Sequence, residues 1–186
     1  MYKNKLNTTD WFLDYEQLKP QFHTHLSQQT PTIVLDVGCG TSQLGPRLSR
    51  EFPHISVYCM DVSTDCLLHL SQQYDETLTS CSFVVGDVRR KLPFDDASVD
   101  YVIDKGTYDA LHRHKDGHSN CTAMLNEIGR VLKPGCIYLQ ISGECPEEQL
   151  DVLRAIFPGD QISYQLLKDD EATEVYAYKV TKSTAP

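Results

Sequence analysis

Glycines and carboxylates follow the short apolar runs in the first 110 residues. These residues are Asp36, Gly38, Gly40, Asp61, Asp87 and Asp104. If the runs are strands of one parallel sheet, the residues at their carboxyl ends share one crevice. Glycines let a backbone turn tightly and approach a ligand, and a carboxylate about 25 residues after the first one can accept both ribose hydroxyls of a nucleoside. The spacing therefore predicts a nucleoside site.

The kind of nucleoside follows from two departures from a dinucleotide pattern. A dinucleotide site needs a third glycine three residues after Gly40, and that position is Gln43. A dinucleotide also places its pyrophosphate on a helix N-terminus, where Asp36 beside the loop would disfavour an anion. A cationic nucleoside gains from the same carboxylate. S-adenosylmethionine combines ribose and adenine with a sulfonium and an ammonium, and it is the predicted cofactor.

The elements that must position these residues alternate regularly from residue 32 onward. Apolar runs of strand length are followed by amphipathic runs of helical spacing. The predicted strands are 32–37, 55–60, 82–85, 99–103, 136–142, 162–167 and 175–180. The first predicted helix ends near residue 51, and the other three span 63–73, 119–132 and 147–157. The last two strands have no room for a helix between them, so they pair antiparallel.

This order predicts an α/β fold. The expected architecture is a doubly wound, seven-stranded, mostly parallel sheet with a C-terminal antiparallel hairpin. We expect one domain over 1–186, in which 1–30 cover the cofactor or substrate and 31–186 form the Rossmann-like core.

Composition excludes several classes of protein. The chain has 186 residues, 17 Lys plus Arg and 26 Asp plus Glu, and a formal charge of −9, which argues against general nucleic-acid binding. Its one cationic cluster, 89–91, is expected to be a solvated loop. The apolar runs are too short to span a membrane. The hydrophobic share of 40% indicates an ordinary folded domain rather than a disordered chain.

We predict neither a metal site nor a disulfide framework. The seven cysteines are odd in number and contain no CxxC pair. His112, His114 and His118 lie in a polar segment that lacks a cysteine or carboxylate at ligand spacing, which favours a solvated loop.

The segment 34–42 (VLDVGCGTS), with Asp61, 86–88 (GDV) and 93–95 (PFD), resembles class I S-adenosylmethionine-dependent methyltransferases over almost the whole chain. A narrower resemblance, carried by 10–12 (DWF) and 104–110 (DKGTYDA), is to methyltransferase-like enzymes that methylate protein lysines, including those acting on elongation factor 1A and on citrate synthase. With 140–146 (QISGECP) and 176–178 (YAY), the match is most similar to the citrate synthase lysine methyltransferases.

The resemblance implies roles for residues that match its motifs. Trp11 would cover the cofactor, Gly38 would allow its close approach, and Asp36 would orient the glycine loop. Asp61 and Val62 would hold the ribose, Asp87 and Val88 would meet the adenine edge, and Lys105 would lie near the methionine end. Trp11 as a core aromatic and Lys105 as a solvated cation are the alternatives.

The chemistry needs alignment more than strong acid or base catalysis, because a lone pair attacks the methyl group in line with the sulfur. A lysine must first lose a proton, since its usual pKa is about 10.4. Asp104, at the end of the fourth strand, is the candidate catalytic acceptor, and a structural role toward Lys105 or loop N–H groups is the alternative. Tyr101 and Tyr108 either line a channel for the ammonium or pack in the core.

Three functions remain open: a protein-lysine methyltransferase, a small-molecule methyltransferase, and a non-catalytic domain that binds cofactor. The first is the main prediction, with a lysine-bearing protein as partner and a monomer as the expected state. The resemblance implies the mitochondrial matrix, and the cytosol is the alternative. The segment 1–9 carries Lys3 and Lys5 without an acid but is too short for a convincing presequence.

Overall fold

The strands form one seven-stranded sheet with the order β3-β2-β1-β4-β5-β7-β6. The structure, a computed structural model, describes residues 10–74, 80–170 and 173–184. The strands are β1 (Thr32–Val37), β2 (Ile55–Asp61), β3 (Cys81–Val85), β4 (Val99–Lys105), β5 (Leu132–Ser142), β6 (Gln161–Asp170) and β7 (Thr173–Thr181). The helices are α1 (Tyr15–Leu26), α2 (Leu44–Glu51), α3 (Thr64–Gln72), α4 (Thr107–His112), α5 (Gly117–Val131) and α6 (Pro146–Ile156).

The sheet topology confirms the predicted fold class. Strands β1 to β5 pair in parallel, and β7 pairs antiparallel with both β5 and β6. The chain moves outward from β1 to β3 and then returns to place β4 on the other side of β1. Ligands in sheets of this kind bind outside the carboxyl ends of the strands, where the strand order reverses. Here that point lies between β1 and β4.

Local sequence explains why the central elements form. Strand β1 is rich in β-branched residues, and its last four residues are buried, as a strand covered on both faces requires. Helix α3 begins where the Ser63 hydroxyl accepts from the N–H of Cys66. Hydrophobic side chains pack on both faces of the sheet, with α1, α2 and α3 on one face and α4, α5 and α6 on the other.

Helix α1 was not predicted, and it makes part of the 1–30 segment a core element rather than a cover alone. Asp14 and Gln17 form a capping box: the Asp14 carboxylate accepts from the N–H of Gln17, and the Gln17 side chain accepts from the N–H of Asp14, both at 3.0 Å. Leu18, Phe22 and Leu26, four residues apart, are almost fully buried against the sheet. Residues 1–9 lie outside the described residues.

The segment predicted as a solvated loop, 111–119, is helical at both ends and a turn over 113–116. Gly106 has a φ of 79°, in the left-handed region, and turns the chain from β4 into α4. Helix α5 then begins at Gly117, two residues before the predicted start. In the part of the chain that the structure describes, no helix is long and apolar enough to cross a membrane.

Candidate active site

A crevice of about 650 Å³ lies at the carboxyl ends of β1 to β4. All nine predicted cofactor-binding residues lie along its wall. They are Trp11, Asp36, Gly38, Gly40, Asp61, Val62, Asp87, Val88 and Lys105. Residues from four strand ends and from the chain start therefore meet at one place. The structure brings these residues together along one wall, and their roles in binding a cofactor stay predictions.

Contacts with Thr107 and Asp61 fix the glycine loop after β1. Gly38 has a φ of 63°, and a Cβ on it would lie 2.1 Å from the Thr107 hydroxyl, so no other residue suits this position. The Thr107 hydroxyl donates to the carbonyl of Val37 at 2.8 Å. The N–H of Gly40 donates to Asp61 Oδ2 at 2.8 Å. These contacts fix the backbone of the loop where it lines the crevice.

Asp61 joins the loop to helix α3. Its Oδ1 accepts from the N–H of Ser63 at 2.8 Å, while Oδ2 accepts from Gly40. A carboxylate has about four acceptor positions, so two bonds leave room for ligand hydroxyls. The two backbone bonds fix the orientation of the side chain.

Asp36 differs from the other crevice carboxylates in its burial and in its raised pKa. It is buried, and burial raises the pKa of its carboxyl to about 7, while the nearby Lys105 ammonium opposes that rise. The N–H of Gly45 in α2 donates to this carboxylate. Its Oδ2 has no hydrogen-bond partner among the described residues. This oxygen lies beside Gly45 of α2, and the Asp36 side chain contributes a carboxylate to the wall of the crevice.

The wall formed by β2 and β3 is apolar with one ion pair. Val62 is exposed and Val88 is buried beside the crevice. Asp87 accepts three bonds from Arg89, at 3.0 Å from its N–H and 2.8 Å from Nε and Nη2, and these bonds hold the pKa of the Asp87 carboxyl below its ordinary value. Residues 89–91 were expected to be a solvated loop, but Arg89 folds back onto the crevice wall.

Residues 10–12 form a strap across the ends of β4 and β5. The Lys105 ammonium donates to Asp10 Oδ1 and to the carbonyl of Trp11, each at 3.1 Å. A Cβ on Gly106 would lie 2.8 Å from Trp11 Cε3 and 3.1 Å from Phe12 Cε2, so this glycine lets the strap lie close. The Lys105 side chain is 6% exposed. Lys105 is therefore a buried anchor for the strap rather than a solvated cation.

Asp104, the predicted catalytic acceptor, lies beneath the crevice and not on its wall. It is fully buried, its Oδ1 accepts from the N–H groups of Thr107 and Tyr108 at 2.8 and 3.3 Å, and its Oδ2 accepts from the Tyr138 hydroxyl at 3.1 Å. This arrangement corresponds to the structural alternative, in which the carboxylate satisfies loop N–H groups. A proton-transfer role stays a prediction that the geometry does not favour.

The two tyrosines considered for a channel are core residues. Tyr101 and Tyr108 are 2% and 3% exposed, and neither lines the crevice. Other crevice residues were missed because their segment was expected to be a solvated loop. These are Leu111, His114, Lys115 and Asp116. Their position directly after β4, at the carboxyl edge of the sheet, was the signal that could have found them.

Thiols and imidazoles do not assemble a metal site within 10–74, 80–170 and 173–184. All seven cysteines are free thiols. His112 lies 3.0 Å from Glu144, measured from Nδ1 to Oε1, rather than near the other two histidines of the predicted loop.

The residues present suit S-adenosylmethionine. Asp36 contributes a carboxylate to the crevice wall, which suits the cationic groups of this cofactor, and Asp61 retains acceptor positions that suit ribose hydroxyls. Val62 and Val88 offer apolar surface for the adenine. When bound, the cofactor supplies an electrophilic methyl group on a positively charged sulfur.

Comparison with known proteins gives the same picture. A family described as a methyltransferase domain matches residues 34–135. Citrate synthase-lysine N-methyltransferase of Danio rerio, named as mitochondrial, is 26% identical, and the match covers 99% of this chain and 80% of that protein. The eEF1A lysine and N-terminal methyltransferase of Danio rerio is 31% identical over 72% of this chain and 19% of that protein.

The fold has a close counterpart among solved structures. A SAM-dependent methyltransferase from Methanosarcina mazei superposes with a TM-score of 0.73 at 16% identity, covering 93% of this chain and 100% of that one. The family match spans β1 to the start of β5, which includes every strand end that lines the crevice. The chain belongs to the methyltransferase domain family, and it is an S-adenosylmethionine-dependent methyltransferase.

Proposed function

We propose that this chain transfers the methyl group of S-adenosylmethionine to a lysine side chain of a protein. One observation carries the proposal: similarity to a citrate synthase-lysine N-methyltransferase covers 99% of the chain, whereas the general family match stops at residues 34–135. The strap and the β6–β7 hairpin lie outside the family match. The resemblance to this lysine-specific relative thus extends beyond the segment that the general family shares with the chain.

The charge around the crevice supports a cationic substrate. The chain has a formal charge of −9, and Asp10, Asp36 and Asp61 line the crevice together with only a few cations. In the reaction, the lysine nitrogen uses its lone pair to form a bond to the methyl carbon, and the carbon–sulfur bond breaks with its electron pair left on sulfur. The ammonium must lose one proton beforehand, which a nearby carboxylate or water can accept.

The role of this chain's residues is alignment. Asp36 holds the aminoacyl group of the cofactor, and Asp61 holds its ribose. Trp11 covers the crevice. Holding reactants at near-attack geometry can supply about 7–11 kcal/mol of a barrier. Asp104 orients the start of α4, and through it Thr107 and the glycine loop, so we assign it a positioning role.

The test uses the full chain with methyl-labelled S-adenosylmethionine and, separately, purified citrate synthase, purified eEF1A and a mitochondrial extract. We expect label on a lysine of one of these proteins, identified by mass spectrometry of the labelled band. Label on a small molecule would make the chain a small-molecule methyltransferase, and cofactor binding without any label would make it a non-catalytic domain.

Two variants make the test specific. Asp36→Asn should lose most of the labelling because it removes the unpaired carboxylate. Asp151→Asn is the matched control, since Asp151 is 81% exposed on α6 and far from the crevice wall. It should label as the unaltered chain does.

We also propose the mitochondrial matrix as the compartment, on the basis of the relatives named as mitochondrial. The same proposal describes a monomer that binds a protein substrate and no nucleic acid. Fractionation of cells that produce the full chain tests the compartment, and light scattering of the purified chain tests the monomer.

A further inference from the structure

A second cavity, of about 250 Å³, lies between helix α1 and the strands β5, β7 and β6. None of the described residues that line it also lines the cofactor crevice. The register pairs Lys179 of β7 with both Leu139 of β5 and Ser163 of β6, so these three residues lie side by side in the sheet. Helix α1 contributes Gln21 and His25 to the lining. The volume is below the range of about 300–1,000 Å³ that drug-sized ligands occupy, and it suits a smaller molecule.

The lining of this cavity is polar, and no Asp or Glu occurs among the described residues that form it. The whole chain has 26 Asp plus Glu against 17 Lys plus Arg, so a polar cavity without an acid departs from the composition of the chain. The cofactor crevice, by contrast, includes the carboxylates of Asp10, Asp36 and Asp61. The two cavities therefore suit ligands of opposite charge.

Lys179 supplies the positive charge of this cavity. Its side chain is partly buried, and its ammonium makes no hydrogen bond or ion pair with the residues that the structure describes. His25 lies nearby: burial lowers the pKa of its imidazole, and the charge of Lys179 lowers this pKa further. The imidazole is therefore neutral near pH 7. A partly buried ammonium beside a second base, with no acid to pair with, is stabilised by an anionic ligand.

Neutral hydrogen-bond donors adjoin this ammonium on β6. Ser163 and Gln165 are two residues apart, so their side chains lie on the same face of the sheet. Gln21 Nε2 donates to Gln165 Oε1 at 3.1 Å, which joins α1 to β6. The amide nitrogen of Gln165 and the hydroxyl of Ser163 make no hydrogen bond within the described part of the chain. One ammonium and two neutral donors match the acceptor positions of a carboxylate.

The remaining wall of the cavity is apolar. Leu139 and Ala177, which are 2% and 4% exposed, lie on β5 and β7 beside the polar groups. An alkyl chain attached to the carboxylate would cover these side chains and remove apolar surface from water. Inorganic phosphate has no such group, and as a dianion it would also leave one of its charges without a partner, since Lys179 carries a single charge.

We propose that this cavity binds a small aliphatic carboxylate, with the Lys179 ammonium as its ion-pair partner and with Ser163 and Gln165 as hydrogen-bond donors. The ligand would join helix α1 to the β6–β7 hairpin. This site is separate from the cofactor crevice, and it does not depend on which substrate receives the methyl group.

The first experiment titrates sodium butyrate into the isotope-labelled full chain, with sodium chloride at the same ionic strength as the reference. The chain is saturated with S-adenosylhomocysteine, so that the crevice is filled. We expect saturable chemical-shift changes at the backbone amides of Ser163, Gln165 and Lys179, with a millimolar Kd, and weaker binding of inorganic phosphate. Changes confined to crevice residues, or tighter binding of phosphate than of butyrate, would overturn the proposal.

Two variants and a matched control locate the binding. Lys179→Gln should weaken butyrate binding about 10- to 100-fold, the range for loss of a hydrogen bond to a charged group. Ser163→Ala should fold normally, because Ser163 is exposed, and it should weaken binding about 2- to 10-fold. Lys91→Gln is the control, since Lys91 is exposed and lines neither cavity, and its Kd should be unchanged. Unchanged affinity in both cavity variants would overturn the site.

Thermal denaturation gives a second measurement. A ligand that binds the folded chain raises its Tm, so saturating butyrate should raise the Tm of the unaltered chain more than that of Lys179→Gln. An equal rise in both proteins would be a general effect of the salt and would contradict binding in this cavity. Neither measurement uses methyl transfer, so a failure of the proposed lysine methylation would leave both results interpretable.

Discussion

Asp36 and Asp104 lie at the ends of adjacent strands, β1 and β4, and their surroundings are alike in two respects. The register pairs Val37, directly after Asp36, with Asp104. Both side chains are buried, and burial raises the pKa of each carboxyl to about 7. For Asp104 the neighbouring Asp109 adds to the rise.

They differ in how their oxygens are satisfied. Asp104 accepts from two backbone N–H groups and one tyrosine hydroxyl, so both of its oxygens are paired within the protein. Asp36 keeps one oxygen without a partner among the described residues, and that side chain lines the crevice. The contrast teaches that a carboxylate at a strand end is assigned to ligand or to scaffold by its unfilled bonds, not by its position. Each of the following predictions tests that assignment.

We expect the largest effect from Asp104→Ala, on the free energy of unfolding. The substitution leaves the N–H groups of Thr107 and Tyr108 and the hydroxyl of Tyr138 without their acceptor in a buried place. Each such group costs about 1–3 kcal/mol, so we expect a loss of at least about 3 kcal/mol in the free energy of unfolding. Urea denaturation measures it.

The same experiment can contradict the scaffold role. Asp151→Ala, at an exposed position, should stay within about 0.5 kcal/mol of the unaltered chain. If Asp104→Ala kept its stability and its cofactor affinity but lost turnover, Asp104 would be the proton acceptor that the sequence suggested.

A smaller effect, on binding, is expected in Asp36→Asn. The variant removes a negative charge from the crevice wall, so affinity for the cationic S-adenosylmethionine should fall about 10- to 100-fold, or about 1.4–2.8 kcal/mol. Stability should be unchanged or higher, because a buried unpaired charge is removed. Calorimetric titration and thermal denaturation of the same samples measure the two quantities. If Asp36→Asn were destabilised but kept its affinity for S-adenosylmethionine, Asp36 rather than Asp104 would be the scaffold carboxylate.

The comparison also shows how far sequence reasoning reaches. Apolar runs of strand length and period-3.6 patterns placed the strands and most helices, because burial on the two faces of a sheet leaves a strong signal. The crevice followed from topology, since parallel strands end at one edge. Asp104 could not be told from Asp36 in this way, because both end an apolar run and only the third dimension decides which oxygens are filled.

Other misses have physical reasons of their own. Helix α1 was missed although its capping box, Asp14 and Gln17, is visible in the sequence, because its polar residues and Pro20 mask the spacing of Leu18, Phe22 and Leu26. The pairing of Asp109 with Gly143 joins residues 34 positions apart, and no local pattern encodes such a contact.

The smallest effect is a pH dependence that isolates Asp36. Its carboxyl has a pKa of about 7 in the folded chain and about 3.9 in an unfolded one, so the folded chain holds more protons between these values. The stability from this group is therefore present below about pH 4 and is lost as the pH rises through about 7. Binding of the cationic cofactor has the opposite slope, because it requires the carboxylate.

We therefore expect affinity for S-adenosylmethionine to be up to about tenfold lower at pH 6 than at pH 8, as the fraction of ionised Asp36 falls about tenfold per unit below its pKa. Calorimetric titrations at both values test this. Asp36→Asn should show little pH dependence, since its side chain does not titrate. An equal slope in both proteins would assign the titration to Asp104, whose pKa burial raises to the same value, and the cofactor would then sense the scaffold carboxylate through α4.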